Sequence, residues 1–245
     1  MERLGYQSYQ IVENRQVALN VYRLEAEGPT GMAARPGQFA QIKAPGYFLP
    51  RPLSICDWTP SRLIFLYKAI GGGTQALSQA HPGERLEILA GLGNGFDEAL
   101  AGENPLLVGG GLGAAPLYAL ARRLAVKGRV TVALGFQGAR DVILAEEFSA
   151  LGAKVLLTTV EGDAGQPGLV TQALEQLPAP SQVYACGPEP MLRAVRRLYP
   201  QGWYSLEGRM ACGVGACMGC TIETASGPKR VCADGPVFKG EELLW

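Results

Sequence analysis

One histidine in 245 residues leaves little room for imidazole chemistry. That residue, His81, precedes Pro82-Gly83 in a turn. No orienting neighbour is evident for it, so it reads as a surface side chain and not a base. Charge of one sign is also missing: Lys+Arg and Asp+Glu each total 22, which argues against a nucleic-acid or membrane-surface binder. Charged residues make up only 18% of the chain, against 47% hydrophobic, enough apolar content for one or two ordinary cores. The one stretch that resembles a membrane span is residues 104–121, which carry no charge. They hold Gly109, Gly110, Gly111, Gly113 and two prolines, and read better as strand, turn and helix. The opening MERLGYQSYQIVENRQ has no apolar core of the export-signal kind, so a reducing cytoplasm is the expected compartment. There are no internal repeats and no low-complexity tracts.

What the chain does have is glycine and a terminal group of cysteines. Cys212, Cys217, Cys220 and Cys232 lie in EGRMACGVGACMGCTIETASGPKRVC, a C-x4-C-x2-C run followed by a distal cysteine. This is the plant-type ferredoxin spacing for a [2Fe–2S] cluster, which needs four thiolates on two irons. Gly213, Gly215, Ala216 and Gly219 leave room for backbone N–H groups to approach the cluster sulfurs and offset their charge. A structural zinc site is the alternative, but zinc ligands usually pair as two short knuckles and only Cys217–Cys220 has that form. The chemistry favoured is single-electron transfer.

Three segments are expected: residues 1–101, 102–201 and 202–245. The first reads as short strands between Gly/Pro turns, predicting an antiparallel barrel or sandwich. The second alternates strand and helix, from PLLVGGG to EPMLRAVRRLYP, predicting a parallel sheet with helices on both faces. The third is a Cys/Gly-rich unit too small to bury a core alone, so that metal would hold it together. The fold class is therefore multi-domain β plus α/β.

Three turns suit nucleotides. Arg51-Pro52-Leu53-Ser54 ends a probable barrel strand, and a guanidinium with a nearby hydroxyl suits a phosphate. Leu66-Tyr67-Lys68 follows, then Gly71-Gly72-Gly73-Thr74 opens a helix with Thr74 as its expected N-cap. The second is Gly109-Gly110-Gly111-Leu112-Gly113-Ala114-Ala115-Pro116 between strand and helix, where glycines let a dinucleotide approach the backbone. It departs from the Rossmann fingerprint, since Pro116 replaces the third glycine and no acid ends the next strand. The third is Cys186-Gly187-Pro188, at a strand end where it would face the second across one crevice. Taken singly, the first reads better as a hairpin loop and a capped helix, and the other two are equally consistent with a tight turn and a small buried residue at a strand end. Arg140 would suit a 2′-phosphate, but Asp141 beside it would repel one, which leans towards NAD. Glu207-Gly208-Arg209 reads as a surface ion pair or a seat for the cluster or a partner. Trp203-Tyr204 reads first as packing between segments and second as a flavin neighbour.

The order of these motifs resembles the ferredoxin–NADP reductase superfamily. Within it the chain resembles the electron-transfer subunits of type B dihydroorotate dehydrogenases, on FLPRPLSICDW, LYKAIGGGT, AGLGNGF, GFQGARDVILAEEF and the cysteine run ending VCADGPVF. The resemblance implies a flavin barrel, a nicotinamide domain and a cluster domain. Arg51, Pro52, Leu53, Ser54, Leu66, Tyr67, Lys68, Gly73 and Thr74 would hold FAD. Gly110, Gly111, Gly113, Pro116, Cys186, Gly187 and Pro188 would receive NAD, and the four cysteines would ligate [2Fe–2S]. It further implies a partner: an FMN-containing dihydroorotate dehydrogenase catalytic subunit, two of each forming a heterotetramer in pyrimidine biosynthesis. Electrons would run from FMN through [2Fe–2S] and FAD to NAD. The flavin links a two-electron to a one-electron carrier, so no side-chain acid or base is obligatory here, and dihydroorotate oxidation needs the partner. Flavin/[2Fe–2S] subunits of sulfide dehydrogenases and NADH-dependent ferredoxin–NADP oxidoreductases share this layout and are the alternatives. A zinc-stabilised module without redox activity is the remote one.

Overall fold

A computed structural model describes residues 5–31 and 33–245, so the first four residues of the polar opening lie outside the described residues. The chain starts with β1 (Gln7–Ala18), β2 (Val21–Glu27), β3 (Phe39–Ile42), β4 (Arg51–Trp58), β5 (Arg62–Lys68), the short helix α1 (Gly72–Ser78) and β6 (Arg85–Leu92). The six strands close into an antiparallel barrel in the order β1-β2-β5-β4-β3-β6. Period-two alternation drives the closure. In β5 the side chains of Leu63, Phe65 and Tyr67 enter the barrel core with Leu24, Ile42 and Ile55. The intervening Ile64 and Leu66 face outwards and pack against the neighbouring layer.

That layer is a mostly parallel sheet. It is built by β7 (Leu106–Gly110), α2 (Ala115–Ala125), β8 (Thr131–Phe136), α3 (Ala145–Ala150), β9 (Lys154–Thr159), β10 (Gln166–Pro167), α4 (Val170–Leu174), β11 (Val183–Cys186) and α5 (Glu189–Leu198). The continuous apolar strands fit burial on both faces. On one face Leu107, Val132, Leu134 and Tyr184 meet Leu117, Leu120 and Leu124 of α2 and Phe148 of α3. On the other, Leu106, Val108 and Val183 meet Val170 and Leu174 of α4 and Leu192 and Val195 of α5.

The remaining segment adds β12 (Trp203–Ser205), the hairpin β13 (Thr221–Thr224) with β14 (Gly227–Arg230), and β15 (Val237–Lys239). The sheet order is β10-β9-β8-β7-β11-β12-β15. Residues 202–245 thus lend two strands to the larger sheet, β12 parallel to β11 and β15 antiparallel to β12. Their core is shared: Val231, Cys232 and Phe238 are buried in the same cluster as Leu192 and Tyr204. Side chains also tie the barrel to the sheet. Arg122 of α2 donates to Asp57 of β4 at 2.8 Å, and the Tyr184 hydroxyl donates to the Asp97 carbonyl at 2.8 Å. Among the described residues no helix is long and apolar enough to cross a membrane. His81 is exposed in the turn before β6.

Candidate functional site

The first part of the site lies on the barrel, where Arg51 opens β4. Its guanidinium donates to the Leu49 carbonyl at 2.6 Å and lies 4.9 Å from the centre of the Tyr47 ring. It also rests on α1, because a Cβ at Gly73 would fall 2.2 Å from the Arg51 Nε. Gly73 is therefore glycine so that a cation can lie flat on the helix backbone, an arrangement suited to phosphate oxygens. Thr74 is not the N-cap that the sequence suggests. The N-cap is Gly71, and Thr74 sits three residues into the helix. Its hydroxyl reaches back, accepting the Ile70 and Gly71 N–H groups at 3.2 Å each and donating to the Gly71 carbonyl. Gly72 and Gly73 are already helical, so the helix begins three positions earlier than a threonine cap would allow.

Strand alternation separates the expected residues of β5. Leu66 faces the sheet, but the Tyr67 ring is fully buried in the barrel. Its hydroxyl donates to Asn14 at 2.9 Å, and burial pushes its pKa up. Only the Tyr67 backbone is left to face the sheet side. Lys68 lies 3.9 Å from Asp141, which fastens the barrel to the turn after β8. Asp141 thus faces the barrel and is not free to repel a nucleotide phosphate as the sequence suggests.

A crevice of roughly 280 Å³ runs between the barrel and the sheet. Phe39, Pro52, Leu53, Ser54 and Leu66 form its barrel wall, and Leu112, Gly113, Pro116 and Cys186 its sheet wall. Ser205, Glu207 and Met210 line the third side. The Cys186 thiol is pushed up to about 12, chiefly by burial, with the Ser205 side chain opposing that shift. Glu207 has no ion-pair partner among the described residues, so the expected Glu207–Arg209 pair does not form. Its carboxylate is accessible at the crevice mouth, while the crowding walls raise its pKa.

The two sheet turns come together at the carboxyl ends of the strands, where open α/β sheets take ligands. A Cβ at Gly113 would lie 2.2 Å from the Cys186 carbonyl, and one at Gly110 would lie 2.5 Å from the Met191 sulfur. On the far side of these turns is a second, apolar cavity of roughly 420 Å³. Gly110, Gly111, Phe136, Gln137, Val160 and Pro188 are among its walls. Gly187 joins Cys186 on the first crevice to Pro188 on the second. Glu161 follows Val160 at the rim, and Gln137 donates to it at 3.4 Å. No acid ends β8, and the acid nearest this cavity, Glu161, follows β9.

The third part is the cysteine loop, and its thiols fall into two pairs. The Cys217 N–H donates to the Cys212 sulfur at 3.4 Å. The Cys232 N–H donates to the Cys220 sulfur at 3.4 Å. Gly215 N–H donates to the Cys232 sulfur at 3.2 Å. The Val214 N–H, foremost among several backbone donors, brings Cys212 down to about 6, whereas burial pushes Cys232 up to about 12. Among the described residues no three Cys, His, Asp or Glu side chains converge as on a single ion. Two pairs of thiols cradled by N–H donors fit two irons. Cys220 and Cys232 are buried, with Phe39 in the same apolar cluster, while Cys217, Val214 and Met218 are exposed.

Sequence reasoning passed over the groups that hold this loop. Arg230 donates from Nε and Nη2 to the two oxygens of Asp234, at 2.9 and 3.0 Å, and from Nη1 to the Gly215 carbonyl at 3.0 Å. Asn94, in the Gly91–Phe96 turn of the barrel, binds the backbone of Asp234 and Val237. The i,i+4 charge pair was visible in KRVCAD, but its carbonyl target lies 15 residues away.

Two family models match the chain. The iron–sulfur cluster binding domain of dihydroorotate dehydrogenase B matches residues 207–244, and the oxidoreductase NAD-binding domain matches residues 107–197. The dihydroorotate dehydrogenase B (NAD(+)) electron transfer subunit of Caldanaerobacter subterraneus subsp. tengcongensis is 42% identical over 245 residues, covering 96% of this chain and 97% of the relative. That of a Geobacillus species is 40% identical over 249 residues, covering 96% of both. Among solved structures, the NADH-dependent reduced ferredoxin–NADP oxidoreductase, described for flavin-based electron bifurcation, superposes with a TM-score of 0.87 at 30% identity. It covers all of this chain and 92% of that one. Phthalate dioxygenase reductase, 18% identical, shares the fold with a TM-score of 0.67 over 91% of this chain and 88% of its own.

Proposed function

The chain belongs to the family of dihydroorotate dehydrogenase B (NAD(+)) electron transfer subunits, and from that premise we propose that it carries electrons between the FMN of a dihydroorotate dehydrogenase catalytic subunit and NAD, using FAD and a [2Fe–2S] cluster of its own. The observation that carries this reading is the position of Phe39, which lines the crevice between barrel and sheet and shares an apolar cluster with Cys220 and Cys232. One residue thus joins the walls of both proposed cofactor sites. When bound, the flavin and the cluster supply the exchange between hydride pairs and single electrons.

The chain's own residues bind, orient and exclude water. The Arg51 guanidinium and the α1 backbone at Gly73 and Thr74 receive the FAD phosphates. Pro52, Leu53, Ser54 and Leu66 flank the flavin ring, with the Tyr67 backbone and Lys68 closing that edge. Gly113, Pro116 and Cys186 bring the nicotinamide to the shared crevice. Gly110, Gly111, Gly187 and Pro188 pass the rest of the nucleotide to the apolar cavity behind. Cys212 and Cys217 hold one iron, and Cys220 and Cys232 the other. Reduced thiolates require a reducing compartment, which supports a cytoplasmic location. The exposed Cys217 edge, with Val214 and Met218, is the side offered to the catalytic partner in a heterotetramer of two of each subunit. Relatives near 40% identity favour this partner over the alternative suggested by the ferredoxin–NADP oxidoreductase likeness at 30%.

The test is the visible spectrum of anaerobically purified chain before and after NADH, then with NADPH. Flavin bleaching with cluster reduction by NADH is expected. A colourless protein that retains zinc would leave the fold and remove this function. Adding dihydroorotate alone should give no reduction, and turnover without a partner would sink the division of labour.

A further inference from the structure

β3 alternates like its neighbours. Ala40 and Ile42 point into the barrel core, and Phe39 and Gln41 point out of it. A glutamine facing out of a barrel normally meets water, yet Gln41 is 0% exposed. The cysteine loop covers it. A Cβ at Gly213 would fall 2.5 Å from the Gln41 Nε2, and Gly213 itself has φ +70°, so the carboxamide lies against the backbone next to Cys212.

A carboxamide has two N–H donors and an oxygen with two lone pairs. Here Nε2 makes one long bond, 3.5 Å to the Ala211 carbonyl, and among the described residues Oε1 has no partner. The orientation is fixed, since turning the amide over would set oxygen against the Ala211 oxygen. Burying a polar group without partners is destabilising, so an apolar side chain would serve better if filling space were the only task. Nε2 thus keeps an N–H with no hydrogen-bond partner among the described residues, beside the Gly213 backbone that adjoins Cys212.

We propose that Gln41 is a positioning residue for the cluster: its carboxamide N–H, presented from the flavin barrel, donates to the sulfur around Cys212 and raises the cluster's reduction potential. This rests on the [2Fe–2S] reading above. Donors to cluster sulfurs stabilise the more negative, reduced form. The same strand carries Phe39, so cluster potential and flavin crevice are set by neighbouring residues of one barrel strand.

The experiment compares the full chain with Gln41→Leu and Gln41→Glu, purified anaerobically. Iron and sulfide content, visible absorption, electron paramagnetic resonance of the reduced cluster and a redox titration are recorded. The leucine variant is expected to keep its iron while the reduced-to-oxidised cluster ratio at a fixed potential falls three- to tenfold, a tenfold change being 59 mV for one electron. The glutamate variant, which places an acceptor there, should fall further. An unchanged potential and resonance signal in an iron-loaded leucine variant overturns the proposal. If either variant fails to hold the cluster, the unmutated chain decides, after labelling its glutamine side chains with nitrogen-15. A nitrogen-15 hyperfine coupling from carboxamide nitrogen to the reduced cluster is expected, replaced in the unlabelled control by the different splitting of spin-1 nitrogen-14, and the absence of any such isotope-dependent coupling overturns the proposal. An unmutated chain with neither iron nor visible absorption instead overturns the cluster reading, and this inference with it.

Discussion

Asn94 and Val237 pair like two strands, although one of them contributes a side chain. The Asn94 Oδ1 accepts the Val237 N–H at 3.1 Å, and its Nδ2 donates to the Val237 carbonyl at 2.7 Å. The Asn94 backbone N–H adds a bond to the Gly235 carbonyl at 2.7 Å. Close approach is possible because Gly93 has no side chain: a Cβ there would lie 2.5 Å from Pro236. The turn after β6 thus anchors the barrel to the segment carrying Cys232. Asn94→Ala leaves the Val237 N–H and carbonyl without these partners, which should cost about 1–3 kcal/mol. Thermal unfolding should show a lower midpoint, with visible cluster absorption lost first. An unchanged midpoint would mean that water replaces the amide at no cost.

Gly73 offers a test that leaves the cysteine loop alone. Gly73→Ala puts a methyl group where the Arg51 guanidinium lies. The arginine must swing off the α1 backbone, while the barrel core on the other side of β4 is untouched. FAD binding to the deflavinated variant is expected to weaken about tenfold or more, a loss of about 1.4 kcal/mol or greater. Iron content should stay at the parent's level. Equal FAD affinity in variant and parent would remove Arg51 and Gly73 from the phosphate site.

The architecture was legible because its signals are local. Alternation in RLIFLYK, apolar runs such as PLLVGGG and the cysteine spacing each declare themselves within ten or so residues. The site was legible as separate motifs, each placed at a strand end. What the sequence hid is how distant groups meet. Gln41 and Ala211 are 170 positions apart, and Asn94 and Val237 are 143 apart. No spacing rule connects them, since only the docking of the last segment onto the barrel brings them together. Thr74 shows a smaller failure of the same kind: its residue type suits a cap, but the preceding glycines let the helix begin earlier.

Arg230 and Asp234 predict a pH dependence. Hydrogen bonds from the Arg230 guanidinium and N–H bring Asp234 down to about 2. A depressed carboxyl stabilises the fold fully above its unfolded pKa, about 3.9, and loses that contribution as pH falls through its folded value. The clamp on the Gly215 carbonyl is therefore constant from neutral pH to about 4 and fails between about 4 and 2. Asp234→Asn should be less stable than the parent by a fixed amount above that window. Denaturant unfolding at stepped pH should show the two curves converging below it. A gap as large at pH 2 as at neutral pH would mean that the carboxylate's charge is not what holds Arg230.

Nucleotide choice should rest on Glu161, although neither the fingerprint nor Arg140–Asp141 points there. Asp141 is engaged with Lys68, whereas Glu161 stands beside Val160 and Gln137 at the rim of the cavity proposed for the nucleotide. A Cβ at Gly138 would lie 2.4 Å from the Glu161 Oε2, so the carboxylate is held over the turn after β8. Asp163 is fixed nearby, its Oδ1 accepting the Ala139 N–H at 2.8 Å. A carboxylate in this place can accept from a ribose hydroxyl and repels a 2′-phosphate, so one group both favours NADH and rejects NADPH. Replacing Glu161 by arginine reverses the sign of that charge while Asp163 keeps the turn in shape. The ratio of kcat/KM for NADH over NADPH, measured with an artificial electron acceptor, should fall by about tenfold or more, each tenfold being about 1.4 kcal/mol. The change should come from a gain with NADPH as well as a loss with NADH. A loss with NADH alone would mean that Glu161 binds the ribose but that the phosphate is excluded by the shape of the cavity.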